Sequence, residues 1–166
     1  MRSRSALLLS LALLAAGCGD VVGLGGPVTR ISRGTSFGMC VGYCRSQFDV
    51  TPALLKLTQL SWDPHVPPVV ASRPSSAQTW TDLQATFDGS GFQGLRTMYG
   101  CPDCADGGAE WVEVETGRAT KRVTFEYGHS PAPLTAAVTA LRGILDRQFT
   151  AIPDVSLEAG PGMGGR

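Results

Sequence analysis

The stretch "EWVEVETGRATKRVTFEY", residues 110 to 127, constrains the fold more than any other part of this chain. Apolar and polar side chains alternate on both sides of a glycine-bearing turn. Successive side chains of a strand point to opposite faces, so the two runs read as strands of a hairpin. One register accounts for the charges. With Val112 facing Val123, Val114 falls opposite Lys121, and Glu113 meets Arg122 on the other face, where opposite charges contribute about 0.2–1 kcal/mol.

Other segments extend this pattern. "VTRISRGTS" (28–36) alternates as a half-buried strand, and Phe48 with Val50, then Leu55 with Leu57, mark two more around a turn at Thr51 and Pro52. "DPHVPP" (63–68) belongs to a loop or a sheet edge, because proline removes a ladder donor. Thr79 and Asp82 form a capping-box-like start to a short helix carrying Trp80, Leu83 and Phe87 and ending near "DGSG" (88–91). Leu134, Val138, Leu141, Leu145 and Phe149 trace one face of a second helix, with Ser130 as its N-cap and Pro131 as its first residue. The fold class expected is α+β: an antiparallel sheet, in the order strands, helix, hairpin, helix, covered on one face by two helices.

The amino terminus reads as an address. Arg2 and Arg4 precede an apolar run from Ala6 to Ala16, too short to span a bilayer and suited to the h-region of a secretory signal. "LLAAGC" (13–18) resembles the lipobox of bacterial lipoproteins, with Ala15 where leucine is usual. That resemblance implies cleavage after residue 17 and lipidation of Cys18 with palmitate-type acyl chains. Gly19 after the cysteine, in place of aspartate, implies sorting to the outer membrane of a host that has one. The alternative is an ordinary signal that leaves Cys18 as a spare thiol. Lipidation would consume the odd cysteine and leave an even number. The expected organisation is a signal peptide at 1–17, a lipidated cysteine and flexible tether at 18–27, one domain at 28–152, and a disordered tail at 153–166 ending in "AGPGMGGR".

Removing residues 1–17 leaves 149 of 166 residues, enough for one domain with a modest core. The 14 basic residues fall to 12 against 14 acidic ones. No cluster of Lys and Arg suits nucleic acid, which needs several cations to displace counterions. "TKR" (120–122), the densest basic spot, reads as a solvated strand end.

Four cysteines remain, Cys40 and Cys44 in "MCVGYC" and Cys101 and Cys104 in "CPDC". Export favours disulfides, and four cysteines allow three connectivities. A ring of about five residues stabilises by roughly 2 kcal/mol and one of about sixty by roughly 4, so chain entropy favours bridges between the clusters. Local pairs meet the geometric requirement more easily, and the connectivity stays open. The alternative is a tetrahedral thiolate site, C-x3-C plus C-x2-C, for Zn²⁺, or for Cu(I) given Met39 and Met98 nearby. A third reading takes the C-x-x-C spacing as a redox pair. The "ADGGAEWVEV" that follows offers no helix dipole to activate a thiol. Asp103, Asp106 and Glu110 do not match the ligand spacing of an EF-hand loop, and turn chemistry explains them better. "GCPDCADGGAEW" therefore reads as a stapled turn feeding a strand.

No catalytic grouping stands out, and the expectation is a protein without catalytic residues or cofactor. His65 and His129 sit in no nucleophile or metal motif. Glu113, Glu115 and Glu126 suit a solvated hairpin face.

"TSFGMCVGYC", "GCPDCADGGAEWVEVETG" and "VTFEYG" together resemble blocks shared by a group of uncharacterised bacterial lipoproteins and exported proteins. More distantly, "RGTSFGMCVGY" is similar to a domain-of-unknown-function family whose signature runs Cys-Phe-Gly-Thr-Cys-Pro-x-Tyr after a first strand. On that alignment Ser36 replaces the first family cysteine, Cys40 matches the second, Val41 replaces proline and Tyr43 matches tyrosine. The family's local pair is thus lost, and Cys40 needs another partner. The resemblance spans roughly Val28 to Phe149, implies the same element order, and brings no activity with it. The function expected is a cell-envelope lipoprotein, a disulfide-stapled module that binds an envelope protein or polysaccharide. A soft-metal protein and a thiol-disulfide oxidoreductase are the alternatives.

Overall fold

Alternation builds the sheet. In the computed structural model, which describes residues 23–88 and 90–150, the first four strands are β1 (Val28–Ser36), β2 (Tyr43–Val50), β3 (Leu54–Ser61) and β4 (Val69–Pro74). Helix α1 (Ala77–Ala85) follows, then a two-residue strand β5 (Met98–Tyr99), the hairpin β6 (Ala109–Thr116) and β7 (Thr120–Glu126), and helix α2 (Thr135–Phe149). The signal, Cys18 and tail expectations lie outside the described residues.

The strands form one sheet in the order β4-β3-β2-β1-β6-β7-β5. The hairpin pairs as its charges require, with Val112 opposite Val123, Glu113 opposite Arg122 and Val114 opposite Lys121. One correction concerns direction. The sheet is mostly but not wholly antiparallel, because β5 enters beside β7 running the same way, Met98 opposite Thr124 and Tyr99 opposite Phe125. The chain reaches that edge from α1 instead of by a hairpin, so nothing forces it to reverse. The edge strand β4 was absent from the pattern reading. It follows the proline-rich "DPHVPP" loop and ends on Pro74, and such residues blunt an exposed edge.

Register gives the sheet two unlike faces. Ile31, Phe48, Val50, Leu55, Leu57, Val112, Val114, Val123 and Phe125 share one face and join Leu83, Leu134, Ala137, Val138, Leu141, Ile144 and Phe149 in a single buried cluster. A bulge at Thr29 inserts one unpaired residue between Val28 and Arg30. It places Val28 on the same face as Ile31, three positions away, which strict alternation would forbid.

The other face is polar and cross-linked by charge. Arg30 reaches Glu115 at 2.5 Å and Glu113 at 3.3 Å, Arg122 donates to Glu113 at 2.9 Å, and Ser32 donates to Asp49 at 2.6 Å. Trp111 lies across Gly34 on this face, and the Arg122 guanidinium sits 3.9 Å from its ring. A Cβ at Gly34 would fall within the indole. Gly34→Ala should therefore displace Trp111 from under Arg122 and cost about 1–3 kcal/mol, as overpacking does. Urea titration followed by tryptophan emission would measure it, and an unchanged midpoint would refute the contact.

Three local expectations shift. The N-cap of α1 is Ser76, whose Oγ accepts from the Thr79 N–H at 3.0 Å, three residues before the expected start. Asp82 instead accepts from the Gln78 side chain at 2.6 Å. Ser130 does not cap α2. Pro131 is extended (ψ 143°), and Ala132–Leu134 form a 3-10 turn before α-helical bonding begins. Pro131 and Pro133 lack N–H donors, so the start tightens instead of opening on a serine. "TKR" is not simply solvated. Lys121 extends from the core face and donates to the carbonyls of Gln93 and Leu95, pinning the segment ahead of β5.

Candidate functional site

Antiparallel pairing gathers the cysteine loops at one end of the sheet. Ser36 pairs with Arg45 and with Ala109, and Ala109 pairs with Glu126, so loops 37–42, 100–108 and 127–131 emerge together. Ser61, opposite Tyr43, brings the 62–68 loop to the same end.

The sulfurs pair locally. Cys40 is bonded to Cys44 and Cys101 to Cys104, with Cα–Cα distances of 5.6 and 5.4 Å. This resolves the connectivity against the entropy preference for long rings: each pair spans a tight turn that meets the distance requirement without help from the fold. It also gives Cys40 the partner that Ser36 in place of a cysteine denied it. Cys44 is the extra residue of a bulge between Tyr43 and Arg45 and is buried. Cys101 and Cys104 are exposed.

Short contacts join the two stapled loops. The Gly38 N–H donates to Asp103 Oδ1 at 3.2 Å, while within the first loop the Phe37 N–H closes on the Cys44 carbonyl at 3.0 Å. The Phe37 ring meets Tyr127 edge to face at 4.9 Å and presses on Gly108. Gly108 is at φ 80° with no room for a Cβ, so both backbone and packing demand glycine. Trp62 Nε1 donates to the Phe37 carbonyl at 2.7 Å, and Arg45 stacks on Trp62 at 4.3 Å. Around this clasp Met39, Val41, Trp62 and Tyr127 stay exposed, Val41 at 97%.

Beneath the clasp lies a buried carboxylate held by two arginines, which the sequence reading missed. Glu110, at 0% exposure, accepts from Arg33 Nε at 2.5 Å, from Arg142 Nη2 at 2.5 Å and from the Gly128 N–H at 3.2 Å. One carboxylate thus ties β1, α2 and the 127–131 loop to β6. The available signal was Arg33 itself, an arginine two residues from Ile31 on an inward-facing register.

A cleft of about 260 Å³ opens beside the second bridge, lined by Cys101, Cys104, Gly107, Gly108, Glu126, Tyr127 and His129. Glu126 Oε1 accepts the Cys101 N–H at 2.8 Å. His129 Nδ1 lies 3.0 Å from the Tyr127 carbonyl. His65 is far from this chemistry in role: its N–H donates to Asp63 Oδ1 at 2.8 Å in an exposed turn. Ser130 Oγ lies 3.4 Å from Thr135 Oγ1. Glu113 and Glu115 bind arginines on the polar sheet face. Asp103 and Glu110 bind the Gly38 N–H and the arginines, and Asp106 belongs to the 3-10 turn after Cys104.

Among the described residues no group of three or more His, Cys, Asp and Glu side chains is arranged to hold a metal ion, and no helix is long and apolar enough to cross a membrane. No protein-family model matches the chain, and no curated protein matches it significantly.

Proposed function

We propose that this protein is a lipid-anchored module of the cell envelope whose disulfide-clasped end binds another envelope component, a protein or a polysaccharide. One observation carries the reading: both bridges and the exposed Met39, Val41, Trp62 and Tyr127 occupy the same end of the sheet. Bridges over such short rings stabilise loops that would otherwise be too entropic to present a fixed apolar surface. In this reading α1 and α2 cover one sheet face, and the tether of residues 18–27 leaves the clasped end free to reach a partner. Signal cleavage and acylation of Cys18 put the chain where such bridges persist.

Peptide mapping under non-reducing conditions, on protein taken from its native envelope, tests this. The N-terminal peptide should begin at an acylated Cys18, and Cys18→Ser should move the protein from the membrane to the soluble fraction. An uncleaved, unacylated chain in the cytosol would overturn the proposal.

A second reading is a soft-metal site using Cys40, Cys44, Cys101 and Cys104, favoured by the Asp103–Gly38 bond that brings the two loops together. It requires both bridges to be reduced, since the thiolate is the ligand. Zinc and copper analysis after anaerobic purification, with and without Cys101→Ser, separates it from the first.

A further inference from the structure

The two bridges share an end of the sheet but not an environment. In the first bridge Cys44 is buried at 2% exposure and Cys40 is half-buried, whereas Cys101 and Cys104 are both exposed in a loop. That loop carries an unusual backbone: Asp103, Ala105 and Asp106 have φ of 62°, 50° and 60°. A non-glycine residue there costs about 1–2 kcal/mol, least for Asp and most plainly for Ala105, whose side chain makes no local hydrogen bond in return. Strained backbone of this kind persists where the surroundings hold it and concentrates at sites that act.

The cleft adds the chemistry. Besides the two sulfurs it is lined by His129 and by Glu126, whose carboxylate accepts the Cys101 N–H at 2.8 Å. A carbonyl oxygen only accepts, so the contact with Tyr127 places a hydrogen on His129 Nδ1 and leaves Nε2 as the nitrogen open to a proton from the cleft. We propose that Cys101–Cys104 is an exchangeable disulfide, opened by a thiol that enters this cleft with His129 as proton acceptor, while Cys40–Cys44 stays closed as a brace.

The incoming thiol gives its proton to His129 Nε2 and its sulfur attacks one bridge sulfur. The S–S bond breaks, its electron pair leaves on the other cysteine, and that sulfur takes up a proton. A second thiol then cleaves the mixed disulfide, so two thiols are oxidised to one disulfide while the bridge is reduced to two thiols. This goes beyond a scaffold role, and it stands or falls independently of lipidation at Cys18.

The test uses the full oxidised chain in detergent, treated at pH 7 with glutathione or with a reduced protein dithiol of the C-x-x-C type. Samples are quenched with a maleimide mass tag and mapped by peptide. Cys101 and Cys104 should label at least about tenfold faster than Cys40 and Cys44, because a bridge exposed at both sulfurs exchanges more readily than one with a sulfur buried. His129→Gln should slow that labelling several-fold while leaving the near-ultraviolet circular dichroism unchanged. The faster of the two reductants identifies the source of the thiol. Equal rates at both bridges, opening only in denaturant, or an H129Q rate equal to the parent would overturn the proposal.

Discussion

Glu110→Gln should destabilise the domain by about 3–5 kcal/mol, because it leaves Arg33 buried without its counterion. Glu110 is wholly inaccessible, and Arg33 is 8% exposed. The carboxylate also accepts from Arg142 and from the Gly128 N–H, so the loss spreads to α2 and the 127–131 loop. Against a typical total of about 5–15 kcal/mol, this removes a large share of the stability. Urea unfolding monitored by far-ultraviolet circular dichroism would give the change in midpoint. A companion variant makes the cause identifiable. Replacing Arg33 and Glu110 with Met and Leu, and the half-exposed Arg142 with Met, should recover most of the loss, since apolar substitutes avoid the desolvation that Glu110 and Arg33 suffer. If the triple variant were as unstable as E110Q, shape and not charge would explain the effect.

Phe48→Ala should cost about 3–5 kcal/mol, as for other buried aromatic truncations. Phe48 is 1% exposed on β2, opposite Leu57, and its ring meets Phe149 of α2 edge to face at 5.9 Å. The contact joins the sheet centre to the end of the last helix. A double-mutant cycle with Phe149→Ala should show a coupling of about 0.5–1.5 kcal/mol, the range for such aromatic pairs. Strictly additive losses would show that the two rings act separately. Calorimetry and urea unfolding measure the same quantity if the domain unfolds in two states.

Much of the sheet was legible because its signals are local. The bounds of β1 follow from the alternation in "VTRISRGTS", and the β6–β7 register from placing Glu113 against Arg122. Strand β4 was missed because "VVASRP" is short, lies at an edge and has little apolar contrast to display. Strand β5 was missed because two residues hold no period. Helix starts moved by a few residues, since Ser76 and Thr79 are both competent caps and sequence does not rank them. At the candidate site the cysteines were legible and their pairing was not. His129 was visible only as an unassigned histidine. Its position beside Cys101 and Cys104 depends on the Tyr127 turn, which closes back on Gly108 through a backbone bond of 3.2 Å.

The order of residues by itself determined the strand and helix periods and the hairpin register, because each rests on neighbours within a turn or on one strand. Only the tertiary structure decided which cysteines join, that both pairs meet at one end, that β5 runs parallel to β7, and that Glu110 binds two arginines 77 and 32 positions away. Those outcomes depend on distances between remote segments. Such distances are set by how the whole sheet and both helices pack, and no local pattern records them.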